Sequence, residues 1–254
     1  MSFFRNIVVA AMIAGLVSGL FLTVIQSFAT IPLIVHAETF EGDAAEEPAH
    51  AHDGNAVHSH DDAAADHHHG EDAWMPADGF ERFFYTAAAN VLAGIGFALV
   101  LLTAAEALGD LAGWRRGLMF GLAGFLAFSL APGLGLPPEL PGMPAADLGA
   151  RQFWWVATAA CTAVALGLLA YTRSPLLAVL AIVLLVAPHL IGAPHPASHE
   201  TAVPADLHAR FVAAVLASSL IFWAALGAVA GLARDRFRSG EEAFTGSAGE
   251  LAAR

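Results

Sequence analysis

The chain has 254 residues, 57% of them hydrophobic and only 13% charged, with a formal net charge of −12 and a mean hydropathy of +0.62. Soluble domains are roughly 45–50% apolar and about 25% charged, so most of this chain is not an ordinary water-soluble globule. A nucleic-acid binder is excluded too, because there is no lysine and the 11 arginines form no basic face.

A bilayer core about 30 Å thick needs about 20 apolar residues in a helix. Six windows qualify: 7–31, 86–105, 117–136, 153–172, 176–193 and 211–233. None contains Asp, Glu, Lys or Arg, each of which would cost at least ~2.5 kcal/mol at a helix centre, and His189 is the only histidine in any of them. The expected fold is an all-α integral membrane protein, a single membrane domain with about six transmembrane helices. The first window carries Gly15 and Gly19 in GxxxG spacing, suited to close helix packing. It is also longer than the roughly 7–15-residue apolar core of a signal peptide, so a retained helix is expected. Gln26 and Asn90 lie inside spans and either line a path or join two helices.

Thirteen of the 23 acids fall between Glu38 and Glu81. Residues 41–79 show no helical or strand period and are rich in Ala, Asp, Glu, His, Gly and Pro. Such a segment cannot bury enough apolar surface to order itself, and a flexible loop is expected. Within it His50/His52 and His58/His60 form HxH pairs and His67, His68 and His69 a triplet, interleaved with Asp53, Asp61, Asp62, Asp66, Glu71 and Asp72. Neutral imidazole suits cobalt, nickel, zinc and copper(II), and carboxylates add charge and ligand number. The plainer reading is a solvated acidic linker. Metal capture should weaken below about pH 6, because ligating histidines must first lose their protons.

Beyond the second span Glu106 stands at a helix end, read as solvated or as the exit of a path. The third and fifth spans end in similar strings, Ala131-Pro132-Gly133-Leu134 and Ala187-Pro188-His189-Leu190. Each proline removes a helical N–H, so each string either terminates a helix or breaks it where freed carbonyls can face a cation. An ionisable group in a span is a functional candidate. His189 precedes His195, His199 and Glu200, and with His36 and Glu38 beyond the first span these residues form a candidate outer-mouth metal site. Trp74, Trp114, Trp154, Trp155 and Trp223 mostly fit interfacial belts. Cys161, the single cysteine, excludes an intrachain disulfide framework and a CxxC site.

Arginine placement orients the spans. With both termini cytoplasmic, the inner segments hold Arg5, Arg115, Arg116, Arg173, Arg234, Arg236, Arg238 and Arg254, with 235–254 as a cytoplasmic tail. The outer segments hold only Arg82, Arg151 and Arg210, each beside a helix start. All 12 histidines then fall at or near the outer face of the inner (plasma) membrane. No enzyme is expected. His199-Glu200 lacks the second histidine of a zinc-protease HExxH, since position 203 is Val203. No GxxxxGK[ST] phosphate loop exists, and no nucleophile–base or acid pair lies within the spans.

Four stretches carry a resemblance: IPLIVHAETFE (31–41), EDAWMPADGFERFFYTAAANVLAGIGFALVLL (71–102), LAPGLGLPPELPGMPAADLGARQFWW (130–155) and APHLIGAPHPASHE (187–200). With the His/Asp-rich loop they make the chain similar, over nearly its whole length, to the probable cobalt transporter subunit family CbtA. The resemblance implies a membrane subunit of cobalt uptake for cobalamin synthesis, working with a small histidine-bearing membrane partner (CbtB-like). It implies no ligand set. The residues themselves leave cobalt, nickel and zinc open. They also leave open a capture or sensor protein that presents metal to another transporter, and a homo-oligomer. No permanently bound cofactor is expected.

Overall fold

A computed structural model describes residues 2–45, 79–108, 111 and 113–252. Among them the chain is all helical: α1 (Ser2–Ala29), α2 (Ile31–Ala45), α3 (Phe80–Leu108), α4 (Gly113–Phe125), a π-helical turn (Leu126–Leu130), α5 (Ala131–Gly135), α6 (Leu148–Tyr171), α7 (Pro175–Ile191) and α8 (Ala205–Ala252). Five stretches are long and apolar enough to cross a membrane: Phe4–Ala29, Phe80–Leu108, Gly113–Gly135, Leu148–Tyr171 and Ala205–Phe237. The window expected at 176–193 forms α7, which is apolar but 17 residues long. At 1.5 Å per residue α7 reaches about 26 Å, slightly short of a bilayer core. The first window ends at Thr30, where the chain turns into α2. That helix carries His36 and Glu38 and runs on to Ala45, five residues into the stretch read as a loop from 41. Glu41, Ala44 and Ala45 are good helix formers and continue the turn. The tail expected from 235 begins as a continuation of α8, which runs to Ala252.

In lipid no hydrophobic effect drives helices together, so association needs close van der Waals fit and internal hydrogen bonds. Small residues provide the fit. Helix α1 lies between α3 and α8, and α4 lies along α8. At Gly15 and Gly19 a Cβ would stand only 2.6 Å from the Cα of Ile95 and Val91 on α3, so only glycine allows this approach. The buried core continues in the same style through Ala10, Ala11, Ala14, Ala98, Ala105 and Ala230, with Leu102, Leu226 and Trp223 filling the remaining space. Asn90 on α3 donates through Nδ2 to Thr23 Oγ1 (3.0 Å) and Gln26 Oε1 (2.7 Å) of α1. The two amides flagged within spans therefore join helices.

Helices α6 and α7 form a hairpin that meets the rest through the π turn and α5. The π turn precedes Pro132, which cannot donate to a carbonyl four residues back. The wider turn replaces the lost pattern: Ala131 N–H bonds the Leu126 carbonyl, five residues back. In α7 the Pro188 carbonyl accepts from both Gly192 N–H (3.1 Å) and Trp154 Nε1 (3.2 Å). Trp154 and Trp223, read from sequence as belt residues, are instead 7% and 3% exposed. Each indole N–H is spent inside the protein, that of Trp223 on Ser129 Oγ at 3.1 Å.

At the end of the bundle that carries the chain's N-terminal turn, Glu106 of α3 accepts from Arg234 Nε of α8. Side-chain exposures are 23% and 5%, respectively, so the pair is largely out of water. Glu106 is thus a helix-to-helix lock, neither a solvated end nor a bare path exit. Replacing one partner of a buried pair costs about 3 kcal/mol or more. Glu106→Gln should therefore lower the thermal midpoint of the detergent-solubilised protein by several degrees. An unchanged midpoint would show that the pair contributes nothing net.

Candidate functional site

The opposite end of the bundle is built by α2, the 136–147 segment, the 192–204 segment and the start of α8. A second apolar cluster of Ala37, Leu140, Val203, Leu207 and Phe211 holds them together, with Ile34, Phe40 and Met143 packed against it. Polar ties reinforce it. Thr201 Oγ1 donates to the Gly142 carbonyl at 3.2 Å, and Arg151 pairs with Glu139 at 3.0 Å. His208 Nε2 lies 3.1 Å from the Pro138 carbonyl oxygen. A carbonyl only accepts, so this bond requires the hydrogen on Nε2. An open pocket of about 820 Å³ lies in this cap, bordered by Ile34, Met143, Phe211 and the carboxylates Glu139 and Glu200.

The sequence-derived candidates fall as follows. His36 is exposed on α2, its ring 5.6 Å from that of Phe40. Glu38 is held by Arg82 of α3 at 3.0 Å. His189, half-buried in the last turn of α7, meets the Trp154 ring edge-on at 5.8 Å. His195, His199 and Glu200 are exposed on the segment after α7. All lie at the same end of the bundle, yet among the described residues no three of His, Cys, Asp or Glu stand close enough to share one metal ion. His50, His52, His58, His60, His67, His68 and His69 lie outside the described residues. Glu139 and His208 belong to this face although the sequence spacing nominates neither as a ligand. Their roles depend on contacts with Arg151 and Pro138 that no local pattern announces.

The distribution of charge along the bundle is therefore polar. The described histidines, Glu38, Glu139 and Glu200 occupy one end, where Arg82 and Arg151 pair with two of these carboxylates. Arg5, Arg115, Arg116, Arg173 and the Glu106–Arg234 pair occupy the other. The ligand chemistry at the first end is imidazole and carboxylate, the set that serves borderline divalent ions.

This is a multi-pass helical membrane protein with its metal-liganding residue types gathered on one face. Within that class the chain belongs to the probable cobalt transporter subunits, the CbtA family, whose family model matches residues 4–235. No curated protein and no solved structure matches the chain.

Proposed function

We propose that this chain is the membrane subunit through which a divalent transition metal, cobalt before nickel or zinc, is taken up from the histidine-bearing face. Membership of a probable cobalt transporter subunit family supports the metal. The arginines at the opposite end support that end as cytoplasmic, by the positive-inside rule. The observation that carries the reading is the gathering of His36, Glu38, His189, His195, His199 and Glu200 at one end. The ends of α2 and α3, which flank the histidine-rich segment, lie at that same end.

The acidic histidine-rich segment concentrates the ion, the mouth histidines exchange part of its hydration shell, and the ion crosses between helices. With the interior negative, a divalent ion gains about 4.6 kcal/mol per 100 mV on moving inward, enough to drive uptake. The described spans offer few free ligands, because Thr23 and Gln26 both accept from Asn90. A partner subunit or a second copy therefore completes the path, and a small histidine-bearing membrane protein fits that role.

The same shortage of ligands favours a second reading, in which the chain only captures metal and presents it to another transporter. Liposomes holding the purified chain, with and without its partner, separate the two. Labelled cobalt should enter only with the partner present, and excess unlabelled nickel or zinc should compete less well than cobalt. Flux through the chain alone, undiminished by His189→Ala, would remove both the partner and the role of that histidine. Binding without flux in either preparation would establish the capture role.

A further inference from the structure

A second cavity lies at the arginine-bearing end, remote from the metal-handling face. It is a groove of about 610 Å³ with α4 as floor and α3 and α6 as walls. Small residues make its depth: Ala123 and Gly124 on the floor, Ala104, Ala163 and Gly167 on the walls. We infer that this groove is a binding site for one acyl chain of an anionic phospholipid, with Arg116 at its mouth taking the lipid phosphate.

Three observations fix the occupant. Among the described residues the lining is apolar but for the Tyr171 hydroxyl and Arg116, its one charged residue. Arg116 stands in the first turn of α4, level with Tyr171 at the end of α6, where a headgroup lies. A guanidinium presents five donors in a fork that fits a phosphate. Length gives the second observation. The groove runs along α4 and into the π-helical turn, from Arg116 to Phe128, 12 residues, or about 18 Å at about 1.5 Å per residue. Half a bilayer core is about 15 Å, so the groove spans one leaflet and no more.

Its far end supplies the third. There Phe128 stacks on Trp223 and Phe97 packs tilted against both, with ring centroids 4.9–5.6 Å apart, and the three close the groove near the membrane midplane. A spanning helix from a partner needs a seat of about 30 Å and fills on the order of 2,000 Å³, several times what this groove offers. The groove is open sideways through Val100, Met119 and Tyr171, which are 51%, 70% and 52% exposed, so a lipid can enter from the bilayer.

The test uses the full chain. A photoreactive benzophenone side chain in place of Ala163 is illuminated in membranes containing phosphatidylglycerol and phosphatidylcholine. The expected product is one phospholipid adduct per chain by mass. In native mass spectrometry from mild detergent, the unaltered chain should retain phosphatidylglycerol over phosphatidylcholine by about tenfold. Arg116→Gln should erase that preference. Gly167→Phe should cut total retained lipid at least fivefold, since nothing stands within 4 Å of a Cβ at Gly167 and the ring enters the groove without a backbone clash. A cross-link to a polypeptide, or equal lipid retention by Gly167→Phe, overturns the proposal.

Discussion

Gly227→Leu should leave no monodisperse protein after extraction in detergent, and Gly227→Ala should leave little. Helices α4 and α8 meet through Gly117 and Gly121 on one side and Gly227 and Gly231 on the other, two GxxxG pairs face to face. A Cβ at Gly227 would run into the Gly117 carbonyl oxygen and lie 2.8 Å from Cα and N of Gly121, a separation that real Cβ atoms essentially never show. Every atom it meets is backbone, so no rotamer change relieves the overlap and the helices must part. Overpacking that side chains can absorb costs about 1–3 kcal/mol. Here the loss also forfeits the contacts of Trp223 and Leu226, which sit on the same seam of α8. Gly96→Leu is the matched control, because nothing stands within 4 Å of a Cβ there. Fluorescence-detected size-exclusion chromatography of the three variants reads the result. A symmetric Gly227→Leu peak with the parental melting temperature would mean that the seam is not set by its glycines.

That seam also marks the limit of what the sequence discloses. The apolar windows were legible because lipid forbids charge over about 20 residues, a constraint written in consecutive positions. Gly15 and Gly19 were legible as a packing motif for the same reason. Their partner, Ile95 and Val91 of α3, was not, nor was the pairing of Gly117 with Gly227, residues far apart in the chain. Trp154 and Trp223 read as interfacial because an indole usually seeks that level. They are buried because a carbonyl 34 residues away and a hydroxyl 94 residues away receive their N–H groups. The π turn is local, yet Pro132 alone signals only that some N–H is missing, not how the helix will compensate. At the histidine-bearing end the composition was plain from residue types. The ion pairs of Glu38 and Glu139 and the orientation of His208 come from tertiary contacts.

Replacing His50, His52, His58, His60, His67, His68 and His69 together by alanine should raise the cobalt concentration for half-maximal uptake about tenfold, equivalent to ~1.4 kcal/mol, and leave the maximal rate unchanged. The distinction follows from where these residues are tethered. Residues 46–78 run between α2 and α3, whose joined ends meet at the Glu38–Arg82 pair beside the proposed mouth. On the proposed function, metal ligands tethered between these two helices would raise the local concentration of the ion, as any tethered binder does. On that reading the segment has no part in the crossing, so at saturating metal the mouth should fill from bulk and the segment should be redundant. Proton competition gives an independent check. Imidazoles titrate between pH 5 and 8, so lowering the pH from 7 to 5.5 should move the unaltered protein toward the alanine variant. The variant itself should shift less, having lost the groups that protonate. His189→Ala, at the mouth, should instead lower the maximal rate. The assay is labelled-cobalt uptake in cells that lack other cobalt importers and carry the partner subunit. Equal half-saturation for the parental and seven-alanine proteins would reduce the histidine run to a solvated linker. It would leave the mouth residues on the cap formed by α2, Leu140 and Phe211 as the site where the ion is first held.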